Sequence, residues 1–232
     1  MDFTDFVKGF TVVWNNLDYL AWGNFPDGPI SGILLTLLMS FAAIIFATLL
    51  GIISGIGLTI LTGWSRRILV VILGFLRAIP VIMLIFWAYF LLPVLFNIDV
   101  PAIATVIIAL GLIGAAYIAY AVYAGMKAIT KDQWQAAYSL GLSKQQVIFY
   151  IILPQAIHMM MPSFVNQWVS LIKDSSLAYI VGVAEFTFLA TQVNNRSMVY
   201  PTEIFLFVIV VYFIICWMLN FAVSRFTSNS KI

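Results

Sequence analysis

Long apolar runs alternate with short polar breaks along this chain. Runs with few or no charges cover about 30–62, 68–96, 100–126 and 204–224. A bilayer core needs about 20 apolar residues per helix, so each run is long enough to cross. A fifth apolar stretch, 151–195, is broken by Pro154, Pro162, Lys173, Asp174 and Glu185. It reads as one net crossing with an interruption. The pattern predicts an all-α integral membrane protein with five transmembrane helices. It divides into an interfacial lead-in over 1–29, a membrane domain over 30–225 and a tail over 226–232. The lead-in carries Trp14, Tyr19, Trp22 and Phe25, aromatic residues that favour a membrane interface.

Between the third and fourth apolar stretches lies a polar element, 130–154. Thr130 followed by Gln133 has the spacing of a capping box, and Ile129 with Trp134 that of a hydrophobic staple. Gly141 fits the left-handed residue that ends a helix. Ser143 with Gln146, and Leu142 with Val147, repeat the two signals. Pro154 marks the expected end of the second helix. Two short helices turning about Gly141 are predicted. The small pair Ala136 and Ala137 would let another surface approach closely, or would only pack on the hairpin's own protein.

Composition agrees. The chain is 63% hydrophobic and 9% charged, with a mean hydropathy of +1.07. Soluble domains carry about 25% charged residues, so these charges are too few to cover a water-facing surface. A net charge of +2 gives no reason to expect nucleic acid. The lone cysteine, Cys216, is expected to be a small core residue. The first 29 residues hold four Asp and only Lys8, unlike a cleavable signal peptide.

The basic residues set an orientation. Arg66, Arg67, Lys127, Lys131, Lys144, Arg225 and Lys231 fall on one side of a five-crossing chain, with acidic residues dominating the other. Basic loops stay in the cytoplasm, which puts the N-terminus outside and the C-terminus inside.

Polar residues at membrane depth are costly and face protein or a wet cavity. Arg77 follows Arg67 by ten residues, about 15 Å along an upright helix, and Pro80 breaks a helix hydrogen bond nearby. Arg77 can face a cavity near a substrate carboxylate. Alternatively, it is satisfied by carbonyls freed near Pro80 or by an acidic side chain. Lys173-Asp174-Ser175-Ser176 is the densest polar cluster in an apolar stretch, the kind of break that transporters use for substrate sites. Asp174 can accept an α-ammonium and Ser175 or Ser176 can bond a carboxylate. Alternatively, Asp174 pairs with Lys173 or Arg77. His158 reads as structural or interfacial, and Glu185 as a gate or a packing residue.

The hairpin also carries a resemblance. Gln135-Ala136-Ala137, Gly141, then Ile151, Leu153 and Pro154 match E-A-A, three residues, G, nine residues, I-x-L-P. This is the loop of permease subunits in ATP-binding-cassette importers. T-L-L-M-S at 36–40, F-L-R-A-I-P at 75–80, L-I-K-D-S-S-L at 171–177 and V-G-V-A-E at 181–185 resemble the polar amino-acid permeases of that group. The resemblance covers about 30–225 and implies a type I importer fold. It also implies contact of Gln135, Ala136, Ala137, Gly141 and Leu142 with a separate ATPase. Gln135 departs from the usual Glu, which removes any salt bridge expected there. Tyr120 and Tyr123 stand where the family pattern has Glu and Arg. That change leans away from arginine, lysine or histidine as cargo, though the rings can also simply pack. Substrate-pathway candidates are therefore Arg77, Pro80, Tyr120, Asp174, Ser175 and Ser176.

No phosphate-binding G-x-x-x-x-G-K-[ST], metal cluster or nucleophile–base set is present in the sequence. The expectation is a permease of the inner membrane that binds no cofactor itself. ATP-Mg would sit on two partner ATPase subunits. A second permease, identical or homologous, and a periplasmic or lipid-anchored binding protein would complete the assembly, with membrane lipid around it. Polar cargo such as glutamate, aspartate or glutamine is favoured. An ion-coupled secondary carrier and a non-transporting scaffold are the competing readings.

Overall fold

The computed structural model describes residues 3–229, with side chains from Lys8 to Arg225. Lys231 of the basic set, and Asp2 among the acidic residues of the opposite side, lie outside the described residues. Among these residues the structure is helical, with isolated bridges at Gly23–Ile30 and Gly32–Glu185 in place of strands. Twelve α-helices run in order. They are α1 Phe3–Asn15, α2 Leu17–Trp22, α3 Gly32–Ile60, α4 Gly63–Ala78, α5 Val81–Phe86 and α6 Leu92–Phe96. α7 Ala102–Ala128, α8 Lys131–Ser139, α9 Lys144–Gln146, α10 Leu153–Asp174, α11 Phe186–Ser197 and α12 Pro201–Asn229 follow.

Four spans are long and apolar enough to cross a membrane: Gly32–Ile60, Ala102–Ala128, Lys144–Val181 and Pro201–Arg225. A fifth exists only if the interrupted pair Gly63–Ala78 and Val81–Phe96 counts as one. The run read as continuous over 68–96 is thus broken. Ile79 turns to extended backbone (φ −85°, ψ 142°), as the residue before a proline prefers. Arg67 and Arg77 share the unbroken α4, and Arg77 lies in its last turn, just before the break.

Prolines act differently further on. Pro154 does not end a helix, as the sequence suggested. A π-helical segment, Val147–Ile152, joins α9 to α10. A wide π turn relieves the clash a proline ring makes with the carbonyl four residues back. The same device, Trp87–Leu91, precedes Pro93 in α6. Pro162 sits inside α10 and does not break it. The interruption of 151–195 comes later, at the 3₁₀ segment Ser175–Val181 and the left-handed Gly182.

The chain forms two compact units, and α3, α7, α10 and α12 each contribute to both. One comprises Met1–Ala43, Val81–Leu110 and Val169–Asn220. Its core is Val13, Leu20, Phe186, Leu189, Ala190, Val193, Ile204 and Val208, so the lead-in helices α1 and α2 pack on α11 and α12. The left-handed Gly32 makes the tightest approach there, where a Cβ would fall 2.3 Å from the Leu20 carbonyl oxygen. The other unit comprises Ile44–Pro80, Gly111–Trp168 and Phe221–Ile232. In it α3 and α7 touch through small residues, with a Cβ at Gly55 meeting Val122 at 2.5 Å. Close approach through small residues replaces the hydrophobic driving force that lipid removes. Leu58, Leu73, Ala116 and Ala119 form a second cluster, with Tyr120 and Tyr123 packed against it.

Candidate functional site

Three groups of residues carry the candidate chemistry. The first is the hairpin. Ser143 and Gln146 form the complete capping box: Ser143 N–H donates to Gln146 Oε1 at 2.9 Å and Gln146 N–H to Ser143 Oγ at 3.4 Å. The first box does not form. Thr130 is the N-cap of α8, but its side chain accepts no capping bond, and Gln133 N–H goes to the Thr130 carbonyl at 3.2 Å. Gly141 takes the left-handed conformation, φ +77°, that the sequence asked of it.

The faces of α8 are distinct. Ala137 is buried, together with Val147, Ile148 and Ile152 of the π segment against which α8 packs. Gln135, Ala136, Leu140 and Gly141 are exposed, Leu140 at 78%. Leu142 is half-buried. Tyr150 adds a ring that is 76% exposed. These exposed apolar side chains stand on an otherwise polar hairpin. The sequence grouped Ala136 and Ala137 as one docking pair, but Ala137 spends its small size inside the hairpin.

The second group lies around the break after α10. Ser175 is fully buried: it donates to the Ile172 carbonyl at 2.7 Å and accepts from Ser40 Oγ at 3.1 Å. Its hydroxyl ties α3 to the break. Ser176 donates to the Lys173 carbonyl at 2.7 Å. Asp174 is half-buried beside Lys173. A cavity of about 630 Å³ opens here, lined among others by Lys173, Ser176, Thr187, Tyr212, Cys216 and Asn220. Cys216 therefore faces a cavity wall, where the sequence suggested a core. Thr187 of α11 and Tyr212 and Asn220 of α12 join this lining only through the tertiary fold, which no local sequence pattern shows.

Glu185 anchors the next turn. It is buried and caps α11, accepting from Thr187 N–H and Phe188 N–H at 2.9 Å each. Thr36 of α3 accepts from Phe186 N–H at 3.0 Å. These contacts make Glu185 a packing and capping residue. His158 is exposed, with Nδ1 3.4 Å from the Pro154 carbonyl.

The third group is a row of tyrosines on α7. The Arg77 guanidinium lies 5.1 Å from the centre of the Tyr117 ring and 4.5 Å from that of Tyr120. Arg66 donates to the Tyr123 hydroxyl at 3.0 Å, and Lys127 Nζ lies 4.8 Å from the same ring. Pro80 follows the end of α4 and is exposed. Among the described residues no group of three potential ligands fits a metal ion.

Comparison with known proteins gives the family and the fold. The family described as binding-protein-dependent transport system inner membrane component matches residues 47–229. The L-cystine transport system permease protein TcyB of Bacillus subtilis is 34% identical over 54% of this chain and 53% of its own length. The glutamine transport system permease protein GlnP of Escherichia coli is 35% identical over 62% and 65%. The alignments thus span between about half and two thirds of these relatives. The solved structure of an amino acid ABC transporter with histidines shares the fold, with a TM-score of 0.79 over 99% of both chains at 23% identity. An inward-facing form of the MetNI methionine ABC transporter has a TM-score of 0.71 over 84% of this chain and 93% of its own, at 20% identity. With the family match covering most of its residues, this chain belongs to the inner-membrane components of binding-protein-dependent transport systems.

Proposed function

We propose that the chain is the membrane-spanning permease subunit of an ATP-driven, binding-protein-dependent importer of polar amino acids. The observation that carries the reading is the hairpin over 130–154. A closed capping box on α9 and a left-handed glycine shape the turn between two short helices, and Ala136, Leu140 and Tyr150 stand exposed. Such an element can receive a push and pass it through the unbroken backbone of α9 and α10. The chain lacks a phosphate-binding loop, so the energy comes from a partner that binds ATP-Mg.

In this reading two ATPase subunits dock on Gln135, Ala136, Gly141 and Leu142, with Ala137 packing beneath them. A second permease, identical or homologous, completes the pathway. A periplasmic or lipid-anchored protein delivers cargo on the opposite side. The N-terminus lies outside and the C-terminus in the cytoplasm. Relatives named for glutamine, L-cystine and arginine transport support amino-acid cargo. Glutamine, glutamate and aspartate are favoured here. Asp174 and Ser176, the latter lining the cavity, are the contacts proposed for cargo in the broken fourth stretch, with Ser175 bracing them.

The test is purification in mild detergent followed by reconstitution. An ATP-hydrolysing chain should co-purify, and uptake of radiolabelled amino acid into vesicles should require ATP and the binding protein. Uptake that runs on an ion gradient with no ATPase present would replace this reading with a secondary carrier.

A further inference from the structure

We propose that Arg77, held between Tyr117 and Tyr120, is a carboxylate-binding site that takes the α-carboxylate of amino-acid cargo. This inference rests on the importer reading above.

Ring faces attract the flat guanidinium but offer it no hydrogen-bond acceptor in that stack. The two centroid distances, 5.1 and 4.5 Å, place the cation over both rings. Among the described residues Arg77 has no carboxylate partner and no hydrogen bond, so its forked N–H donors remain open. A guanidinium fork matches a carboxylate in two parallel bonds.

Surroundings fix the arginine in place. Tyr120 packs on the buried cluster of Leu58, Leu73, Ala116 and Ala119, so its ring is a stable wall. Arg77 itself is exposed, and Tyr117 is 42% exposed, which leaves one side of the stack accessible. The site stands in the last turn of α4, just before the break at Ile79–Pro80. Broken helices in an apolar region are tolerated where they line a wet cavity or are covered by protein. A bare arginine in such a place needs water or an anion. Arg66 and Lys127 around Tyr123 add positive charge to the same row of tyrosines. A zwitterionic or anionic amino acid supplies the matching carboxylate.

The permease–ATPase complex, purified without binding protein, is tested by equilibrium binding of radiolabelled L-glutamine, L-glutamate and L-aspartate. Wild type should bind at least one. Arg77→Gln should weaken that binding about tenfold or more, the loss expected for a charge-assisted bond, with Arg77→Lys in between. Tyr120→Glu is the discriminating variant. It hands Arg77 a permanent carboxylate, which satisfies a structural arginine but blocks a ligand site, so binding should fall as in Arg77→Gln. Unchanged binding in an assembled Tyr120→Glu or Arg77→Gln complex overturns the proposal. So does a wild-type complex that binds none of the three amino acids while ATP-driven uptake persists, and in that case the importer reading stands. Loss of ATP-driven uptake in wild type overturns both. Uptake is also compared in vesicles of phosphatidylcholine with and without phosphatidylglycerol. A requirement for phosphatidylglycerol that vanishes in Arg77→Gln would assign the site to a lipid phosphate and overturn cargo binding. Equal uptake in both vesicles supports it.

Discussion

The Tyr212 hydroxyl donates to Glu185 Oε2 at 3.2 Å, joining the middle of α12 to the N-cap of α11. The same carboxylate accepts two backbone N–H groups at 2.9 Å. Removing it strips the cap and leaves buried donors unpaired. Glu185→Ala should therefore destabilise the protein by about 2 kcal/mol or more. Glu185→Gln keeps an acceptor oxygen and should cost less, and Tyr212→Phe should cost about 1 kcal/mol. Thermal unfolding in detergent, followed by tryptophan fluorescence, gives the ranking. Equal stability of Glu185→Ala and Glu185→Gln would remove the capping role.

The parts of this structure that were legible in the sequence are those set by local physics. Apolar length marks the spans, because a bilayer demands a continuous hydrophobic run. Ser143, Gln146 and Gly141 behave as their spacing requires, since caps and left-handed turns act over a few residues. Thr130 makes no side-chain cap, and its carbonyl accepts from Gln133 N–H to close the first turn instead. Pro154 fails because the widened turn before it accommodates the ring. The illegible parts are long-range. Ser40 meets Ser175 across 135 positions and Thr36 meets Glu185 across 149. No local pattern distinguishes such ties from a cargo site, which is why Ser175 reads as a substrate residue in the sequence and as a brace in the fold. Arg77 lies between these cases: its position beside a proline break was readable, and its tyrosine clamp was not.

Gly55 shows how tightly α3 and α7 meet. A Cβ there would fall 2.5 Å from Val122 Cβ and 2.7 Å from the Ala119 carbonyl oxygen. The backbone contact cannot move aside as a flexible side chain would. Gly55→Ala should force the helices apart and cost about 1–3 kcal/mol, as overpacking does. Adding Val122→Ala removes the Val122 Cγ1 contact at 2.7 Å but leaves the Val122 Cβ and carbonyl contacts, so the double variant should recover only a small part of the loss. Unfolding midpoints of the two singles and the double test this directly. A double variant less stable than Gly55→Ala would show that Val122 is not the obstacle.

At Gly141 the strain is conformational. Its φ of +77° is costly for any residue with a side chain, yet a Cβ there meets nothing within 4 Å. Gly141→Ala should cost about 1 kcal/mol from the left-handed backbone and leave the chain assembled. Gly141→Asn should cost less, since Asn tolerates this conformation. Gly141→Glu places a charge on the surface proposed to meet the ATPase. Its expected phenotype is loss of uptake with the permease still folded. Normal uptake and normal cargo-stimulated ATP hydrolysis in Gly141→Glu would count against docking at this turn.

Ala136 and Ala137 are adjacent and chemically identical, but their burial separates them. Ala137 is 2% exposed and packs within the hairpin, whereas Ala136 faces outward. A larger side chain at Ala137 must displace its neighbours, so Ala137→Leu should cost about 1–3 kcal/mol in stability and loosen the hairpin. Ala136→Leu has room and should leave the unfolding midpoint nearly unchanged. If the outer face is where an ATPase sits, Ala136→Trp should instead weaken co-purification of that partner, with the permease intact. The two positions thus test separate links of the same chain of cause. One measures what holds the hairpin together, and the other what the hairpin touches. Reversal of the pattern, with Ala136→Leu unfolding the protein and Ala137→Leu sparing it, would mean that α8 presents its opposite face to the partner.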